Sequence, residues 1–345
     1  MSRGVGPPRE RDARERPAIG RVCITGGAGF IGSTLADRLS EVGTEVVIVD
    51  DFRRGRREFV AWAIGRPGVR LLEGDVLDST VLEDAFEGCD WVFHLQANAD
   101  VRRGLEDPRR DLEQNTIATA NVLEAMRACG VSRIGFASSG SVYGEPTTFP
   151  TPEDVPFPLQ TSLYGASKLA GEGLACAYAS GYGFTSVICR FVSILGERYT
   201  HGHLFDFYCA LRRDPGHLQV QGDGRQRKSY LYVQDCVDAI LATVDRHRFE
   251  PGAFIYNIGS DETQTVDESV ALIAAHLSAA PEIEYTGGAR GWVGDSPTIH
   301  LDTTKIEALG WRPTLTIRES TMRTLRWFDA NEYAWWDAVA ESALS

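Results

Sequence analysis

The chain has 345 residues, about twice a single domain of roughly 100–200, and its 43% hydrophobic and 24% charged residues fit a globular protein with a sizeable core. With 35 basic against 48 acidic side chains the net charge is −13, which argues against nucleic acid and anionic membrane as partners in the absence of a concentrated basic patch. No apolar run approaches the ~18 residues of a membrane span, and seven scattered cysteines without a CxxC pair exclude a disulfide framework and a structural zinc site, placing the chain in a reducing, cytoplasmic compartment.

Residues 1–18 mix arginines with acids and lack an apolar core, so they read as a disordered tail, neither a secretory signal nor a transit peptide. From Arg21 the pattern alternates. Val22–Thr25 is an apolar strand running into a glycine turn, Ser33–Val42 has helical spacing, and Thr44–Asp50 is a second buried strand. Val69–Leu72 predicts a third strand closing at Gly74-Asp75, Leu82–Phe86 a helix, Asp90–Leu95 a fourth strand and Asp111–Ala128 a long helix. Strand Ser132–Ala137, helix Leu163–Ser180 and strand Ser186–Phe191 continue the series. Helices between apolar strands predict an α/β fold with a doubly wound parallel sheet. After about Gly196 the pattern loosens, as in a smaller α/β lobe, and Tyr256–Gly259 reads as a strand returning to the main sheet.

Gly26-Gly27-Ala28-Gly29-Phe30-Ile31-Gly32 follows a strand and opens a helix. Gly26 allows the tight turn, Gly29 lets backbone approach a pyrophosphate, Gly32 lets the helix pack closely, and the helix N-terminus offers free N–H groups to phosphates. Asp50 ends the second strand ~20 residues on, where a carboxylate accepts from ribose hydroxyls and repels a 2′-phosphate. NAD is therefore the expected cofactor, although Arg53 and Arg54 leave room for NADP. Asp75 and Val76, closing the third strand, are placed to meet the adenine. The bland reading of either segment is an ordinary turn.

Tyr164 and Lys168 lie at i and i+4 on one helix face, where an ammonium, together with a cationic nicotinamide, favours the phenolate over a phenol of pKa ~10. Ser139 stands in the hydroxyl-rich turn after the fifth strand, at a sheet end where ligands bind. Taken together, TGGAGFIG, SSGSVYG, YGASK and GDGRQRKSYLYVQD resemble the extended short-chain dehydrogenase/reductase family, in particular its nucleotide-sugar epimerases and dehydratases, over roughly Arg21 to Phe328. The resemblance implies a Ser139–Tyr164–Lys168 triad, NAD contacts that include Leu95, Ala97 and Asn115, and a further part for Asn115 in holding the active-site helix and water. It divides the chain into a tail (1–18), an NAD-binding domain (19–196), a mainly substrate-binding domain (197–330, with about 254–260 in the main sheet) and a C-terminal tail (331–345).

Family dehydratases carry Asp-Glu directly after the hydroxyl residue, and UDP-glucuronate decarboxylases carry a glutamate before Val-Tyr-Gly. Here those places hold Gly140 and Ser141, which cannot supply an acid and a base for elimination. Removal and return of hydride remains, and that is epimerisation at C4 of a nucleotide-activated hexose, a UDP-sugar being favoured. The alternatives are a 4-epimerase of another nucleotide sugar such as a uronic acid, a 4-ketosugar reductase, or a non-catalytic NAD sensor. Substrate contacts are expected from Ser139, Ser141, Ser193 (where the family commonly has asparagine), Lys228 (where it has arginine) and Arg290 (for an arginine expected near Trp292). Gln96, Asn98 and Arg102 lie in the loop after the fourth strand, as either ligand contacts or plain loop. His201 and His203 lack a third ligand in register, so no metal is expected; Trp327, Trp335 and Trp336 read as packing or fraying-helix residues, not a binding platform. Ile117, Val122, Leu123, Leu169, Leu174 and Tyr178 give two helices an apolar surplus, which with the resemblance points to a homodimer.

Overall fold

The computed structural model describes residues 19–335 except 100–102 and 157–158; the expected N-terminal tail, Arg102 and Trp336 lie outside the described residues. The strands are β1 (Arg21–Thr25), β2 (Glu45–Asp50), β3 (Val69–Glu73), β4 (Trp91–His94), β5 (Arg133–Ser139), β6 (Thr185–Phe191), β7 (Ser193–Leu195), β8 (His217–Val220), β9 (Arg227–Lys228), β10 (Tyr230–Tyr232), β11 (Gly252–Ile258), β12 (Gln264–Thr265), β13 (Glu282–Tyr285) and β14 (Thr298–Ile299). Seven of them form one sheet in the order β11-β6-β5-β4-β1-β2-β3, with every neighbouring pair parallel.

The strands are apolar throughout because both faces are covered. On one face α1 (Phe30–Glu41), α2 (Arg57–Ile64) and, from later in the chain, Val233–Arg246 bury Leu35, Val60 and Val237 against the sheet. On the other, α3 (Ser79–Phe86), a helix ending in Ala118–Ala128, and Leu163–Tyr182 bury Leu82, Val122 and Ala175. Val122 and Leu123 are thus wholly committed to the chain's own core and unavailable to a second subunit.

The long helix expected over Asp111–Ala128 starts earlier and is not uniform. It runs as α4 (Pro108–Asp111), one π-helical stretch (Leu112–Ile117) and α5 (Ala118–Ala128). A π turn inserts one residue, which rotates the following side chains and often marks a functional site; Asn115 sits inside it. After it comes α6 (Leu163–Tyr182), capped by Ser162 Oγ, which accepts from Gly165 N at 3.0 Å.

The second lobe contains α7 (His203–Arg213), α8 (Val233–Arg246, which covers the main sheet), α9 (Val266–Leu277), α10 (Thr304–Glu307) and α11 (Ile317–Ala330). Its core gathers Tyr199, Phe205, Tyr208, Leu325 and Phe328. Trp335, expected in a tail, is only 2% exposed; it packs edge-on to Tyr208 and donates its indole N–H to Phe328 O at 2.8 Å. Trp327 packs here too. Phe328, fully buried, meets Tyr208 at 4.8 Å and Phe205 at 5.7 Å between ring centres. Phe328→Ala is expected to cost about 3–5 kcal/mol, read as a lower urea midpoint; an unchanged midpoint would show that this lobe lends nothing to the measured transition.

Candidate active site

The turn after β1 is made of glycine for steric reasons. Gly26 has φ +69°, and a Cβ on it would lie 2.7 Å from the backbone of Gln96. A Cβ on Gly32 would lie 2.2 Å from Gly26 O, so this glycine packs helix on turn, where helix on strand was expected. Gly29 precedes α1, and no side chain caps its first N–H groups, which leaves donors facing the cleft for an anion.

Asp50 completes the nucleotide end. Its Oδ2 accepts from Ala28 N and its Oδ1 from Phe52 N, both at 2.9 Å, so the carboxylate is fixed in place with lone pairs remaining for ligand hydroxyls. Burial pushes its pKa up from the usual carboxylate value. Arg53 is bound to Asp51 at 3.2 Å and to Asp75 at 3.1 Å. A 2′-phosphate would therefore have to compete with two carboxylates for it. These residues fit NAD.

A cleft of about 930 Å³ runs along the carboxyl ends of the sheet into the second lobe, near the upper limit of ligand sites. Gly26, Gly29, Phe30, Ile31, Gly32, Asp50, Asp75, Val76, Leu95, Ala97, Ser139, Ser141, Tyr164, Lys168, Ser193 and Lys228 all line it. Gln96 and Asn98 do so as well. Asn115 lies behind the wall: it donates to Ser167 Oγ at 2.9 Å and accepts from Asn98 N at 2.8 Å, tying α6 to the loop after β4. Arg290 is also outside the lining, engaged by Glu145 and by Asp295 O at 3.1 Å. Lys228 reaches the cleft already paired, with Asp295 Oδ1 at 2.7 Å and the Trp292 ring 4.9 Å away. His201 and His203 line the second-lobe end; His203 meets Ser269 Oγ at 3.0 Å, and no group of three metal-binding side chains occurs among the described residues.

At the catalytic end, Ser139 Oγ accepts from Ser141 N and donates to Ser141 Oγ, both at 3.2 Å. Lys168 Nζ donates to Ala137 O at 2.9 Å. Tyr164 departs from expectation. Although part of its ring faces the cleft, the protein around its hydroxyl desolvates it and pushes its pKa up to about 12, against the downward pull of the Ser139 hydrogen bond. Burial likewise pulls Lys168 down to about 8. Desolvation is thus the largest influence on the phenol and opposes the phenolate.

Several lining residues carry no local signal: Arg110, Gln114, Asp206, Arg213 and Gln226 come to the cleft only through the fold. A residue that spacing could have revealed is Glu172, four positions after Lys168 on α6.

A parallel doubly wound sheet, a glycine turn on a helix N-terminus and a Ser–Tyr–Lys group at the strand ends define a dinucleotide-dependent oxidoreductase-type fold. The model of the NAD dependent epimerase/dehydratase family matches residues 22–259, and the chain belongs to that family; NAD is its cofactor. It is 32% identical over 317 residues to a putative UDP-glucose 4-epimerase of Methanocaldococcus jannaschii, covering 90% of this chain and 99% of that one. It is 29% identical over 315 residues to UDP-glucuronic acid decarboxylase 1 of Danio rerio, covering 89% and 72%. Among solved structures it is similar to a UDP-galactose 4-epimerase (TM-score 0.80, 39% identity, 90% and 99% covered). The UDP-glucose 4-epimerase of Thermus thermophilus in complex with NAD is also similar (TM-score 0.79, 32% identity, 90% and 99% covered).

Asp50→Ala is expected to narrow the preference for NAD⁺ over NADP⁺ in calorimetry, since repulsion of the 2′-phosphate leaves with the carboxylate. Equal affinities in the wild type would remove Asp50 from that role.

Proposed function

We propose that the protein is a 4-epimerase of a nucleotide-activated hexose, with a UDP-sugar of the UDP-glucose/UDP-galactose type as substrate. The observation that carries this reading is the turn after β5, which holds Ser139, Gly140 and Ser141 and no carboxylate; by the family resemblance, dehydratases and decarboxylases have acids at the last two places. Position 140 is also close-packed: a Cβ there would lie 3.3 Å from Ile299 Cγ2, a side-chain methyl that would have to give by a few tenths of an ångström, and in ordinary contact with Phe191 O at 3.4 Å.

In this reading Ser139 and Ser141 hold the C4 oxygen by their hydroxyls. Tyr164 takes the C4 hydroxyl proton and later returns it. Lys168 supplies the positive charge that opposes protonation of the phenolate. NAD, when bound, supplies hydride acceptance and return; its phosphates would lie on the α1 N-terminus and its ribose on Asp50. Lys228 and Ser193 would face the substrate's diphosphate. The carry-over of substrate rests on the UDP-glucose and UDP-galactose epimerases that this chain resembles.

The test is to incubate the NAD-loaded protein with UDP-glucose and with its dTDP counterpart and to resolve the products by NMR. Inversion at C4 with the 6-hydroxyl retained is expected. A 6-deoxy-4-keto product, or no turnover with any sugar nucleotide, would overturn the reading. Tyr164→Phe keeps the ring and loses the proton acceptor, so kcat should fall by about 10²–10⁴-fold with substrate binding kept.

The same reading includes a homodimer in a reducing compartment. All seven cysteines are free, and Leu112, Ile117 and Leu163, on or beside α5 and α6, stay 49%, 42% and 38% exposed. Light scattering at micromolar concentration should give the mass of two chains; the mass of one would remove this part.

A further inference from the structure

A buried carboxylate behind the catalytic helix has no part in the roles above. Glu172 is 3% exposed. Its Oε1 accepts from Ser138 Oγ at 2.5 Å and from Arg190 Nε at 2.9 Å, and its Oε2 accepts from Arg190 Nη2 at 2.7 Å. Ser138 precedes Ser139 at the end of β5. Arg190 stands opposite Ser138 on β6, and its Nη1 donates to Tyr143 Oη at 2.7 Å and to Glu153 O at 3.1 Å. A single carboxylate thus joins the helix that carries Tyr164 and Lys168, the strand that carries Ser139, and the next strand.

We infer that Glu172 is a positioning residue that locks α6 onto β5, so that Tyr164 and Lys168 face Ser139, and that keeps the Lys168 ammonium charged where water is excluded. Lys168 is 3% exposed. Its Nζ rests on Ala137 O at 2.9 Å and over the Phe136 ring at 5.1 Å, neither of which carries a full counter-charge. A buried ammonium in such a place tends to lose its proton.

The titratable and charged groups packed around it come from four elements. His94 on β4 lies between Thr25 Oγ1 at 2.7 Å and Thr119 Oγ1 at 3.0 Å; burial pulls its pKa down to about 3, so it stays neutral. Asp111 on α4 accepts from the side-chain amides of Asn98 at 2.8 Å and Asn115 at 3.4 Å. Tyr164 and Glu172 share α6 with Lys168, and Arg190 reaches the carboxylate from β6. Burial is the main influence on Lys168 and lowers its pKa; Glu172 is the first and Asp111 the second of the influences that raise it. Of the Glu172–Arg190 pair, the negative member is the one on the lysine's own helix, four positions on and buried as it is. In the proposed mechanism, on which this consequence rests, a neutral amine in that position would remove the positive charge that opposes protonation of the phenolate. The inference does not depend on which sugar is bound.

The chain has only three lysines, Lys168, Lys228 and Lys305. Protein labelled with ¹³C at lysine Cε should give three resolvable NMR signals, assigned by Lys228→Arg and Lys305→Arg. In the wild type the Lys168 signal should titrate near pH 8. Glu172→Gln should lower that midpoint by about one unit. Ser138→Ala loosens the clamp and keeps the charge, so it should leave the midpoint in place, and Glu172→Asp should bring it back. Because Glu172→Gln leaves Arg190 buried without its partner, Glu172→Gln/Arg190→Met, which removes both charges, is measured beside it, and a lowered midpoint is expected there too. A Lys168 midpoint that stays at its wild-type value in the folded variant would overturn the inference and leave Glu172 as a fold-cementing ion pair. Because the titration needs no substrate, its failure and the failure of the epimerase reading are separate results.

Discussion

The molecule depends on where its sheet reverses direction. From β1 the chain moves outward through β2 and β3, then crosses back to β4 on the other side of β1. The loops leaving β1 and β4 therefore diverge, and a crevice opens at their carboxyl ends. The glycine turn enters it from β1, Leu95 to Asn98 from β4, Ser139 from β5 and Ser193 just after β6. An added Cβ on Gly26 would run into the Gln96 backbone, which shows how closely the two loops approach at the crevice floor. No catalytic side chain here could be moved to the opposite end of its strand and still meet the others.

What the sequence made legible is what local spacing encodes. Alternating strands and helices, the glycine turn with Asp50, and Tyr164 one turn before Lys168 each depend on residues close in the chain. The π turn over Leu112–Ile117 did not show, because apolar spacing tolerates one inserted residue; its consequence is the aim of Asn115 onto Ser167. Lys228 paired with Asp295, 67 residues away, and Arg290 paired with Glu145, 145 residues away, have no periodic signature at all. Both change the reading of the substrate end, since one cation arrives partly neutralised and the other faces away. Trp335 looked like part of a tail because its partner Tyr208 belongs to a helix more than a hundred residues earlier.

Desolvation organises the chemistry inside the crevice. It raises the phenol of Tyr164 and lowers the ammonium of Lys168, moving both away from their charged forms. An arginine at position 168 would hold its charge regardless, but its planar fork would not settle on a single carbonyl, whereas a compact ammonium does. With 32 arginines to three lysines in the chain, two of the lysines line this one cleft. The choice of lysine there follows the need for a charge that can be tuned.

A tunable charge must also be protected from being tuned too far. At a midpoint near 8 the lysine is still mostly protonated at neutral pH, but a further unit down would leave it about half neutral, by the ordinary titration relation. Glu172 of the ion pair behind α6 acts against that loss, and Ser138, Tyr143 and the Glu153 carbonyl complete the hydrogen bonds of both members. In the proposed mechanism, packing behind the helix therefore bears on the charge that supports the proton acceptor. The same burial that makes Lys168 sensitive makes Glu172 effective, since an exposed carboxylate would be screened by water and salt.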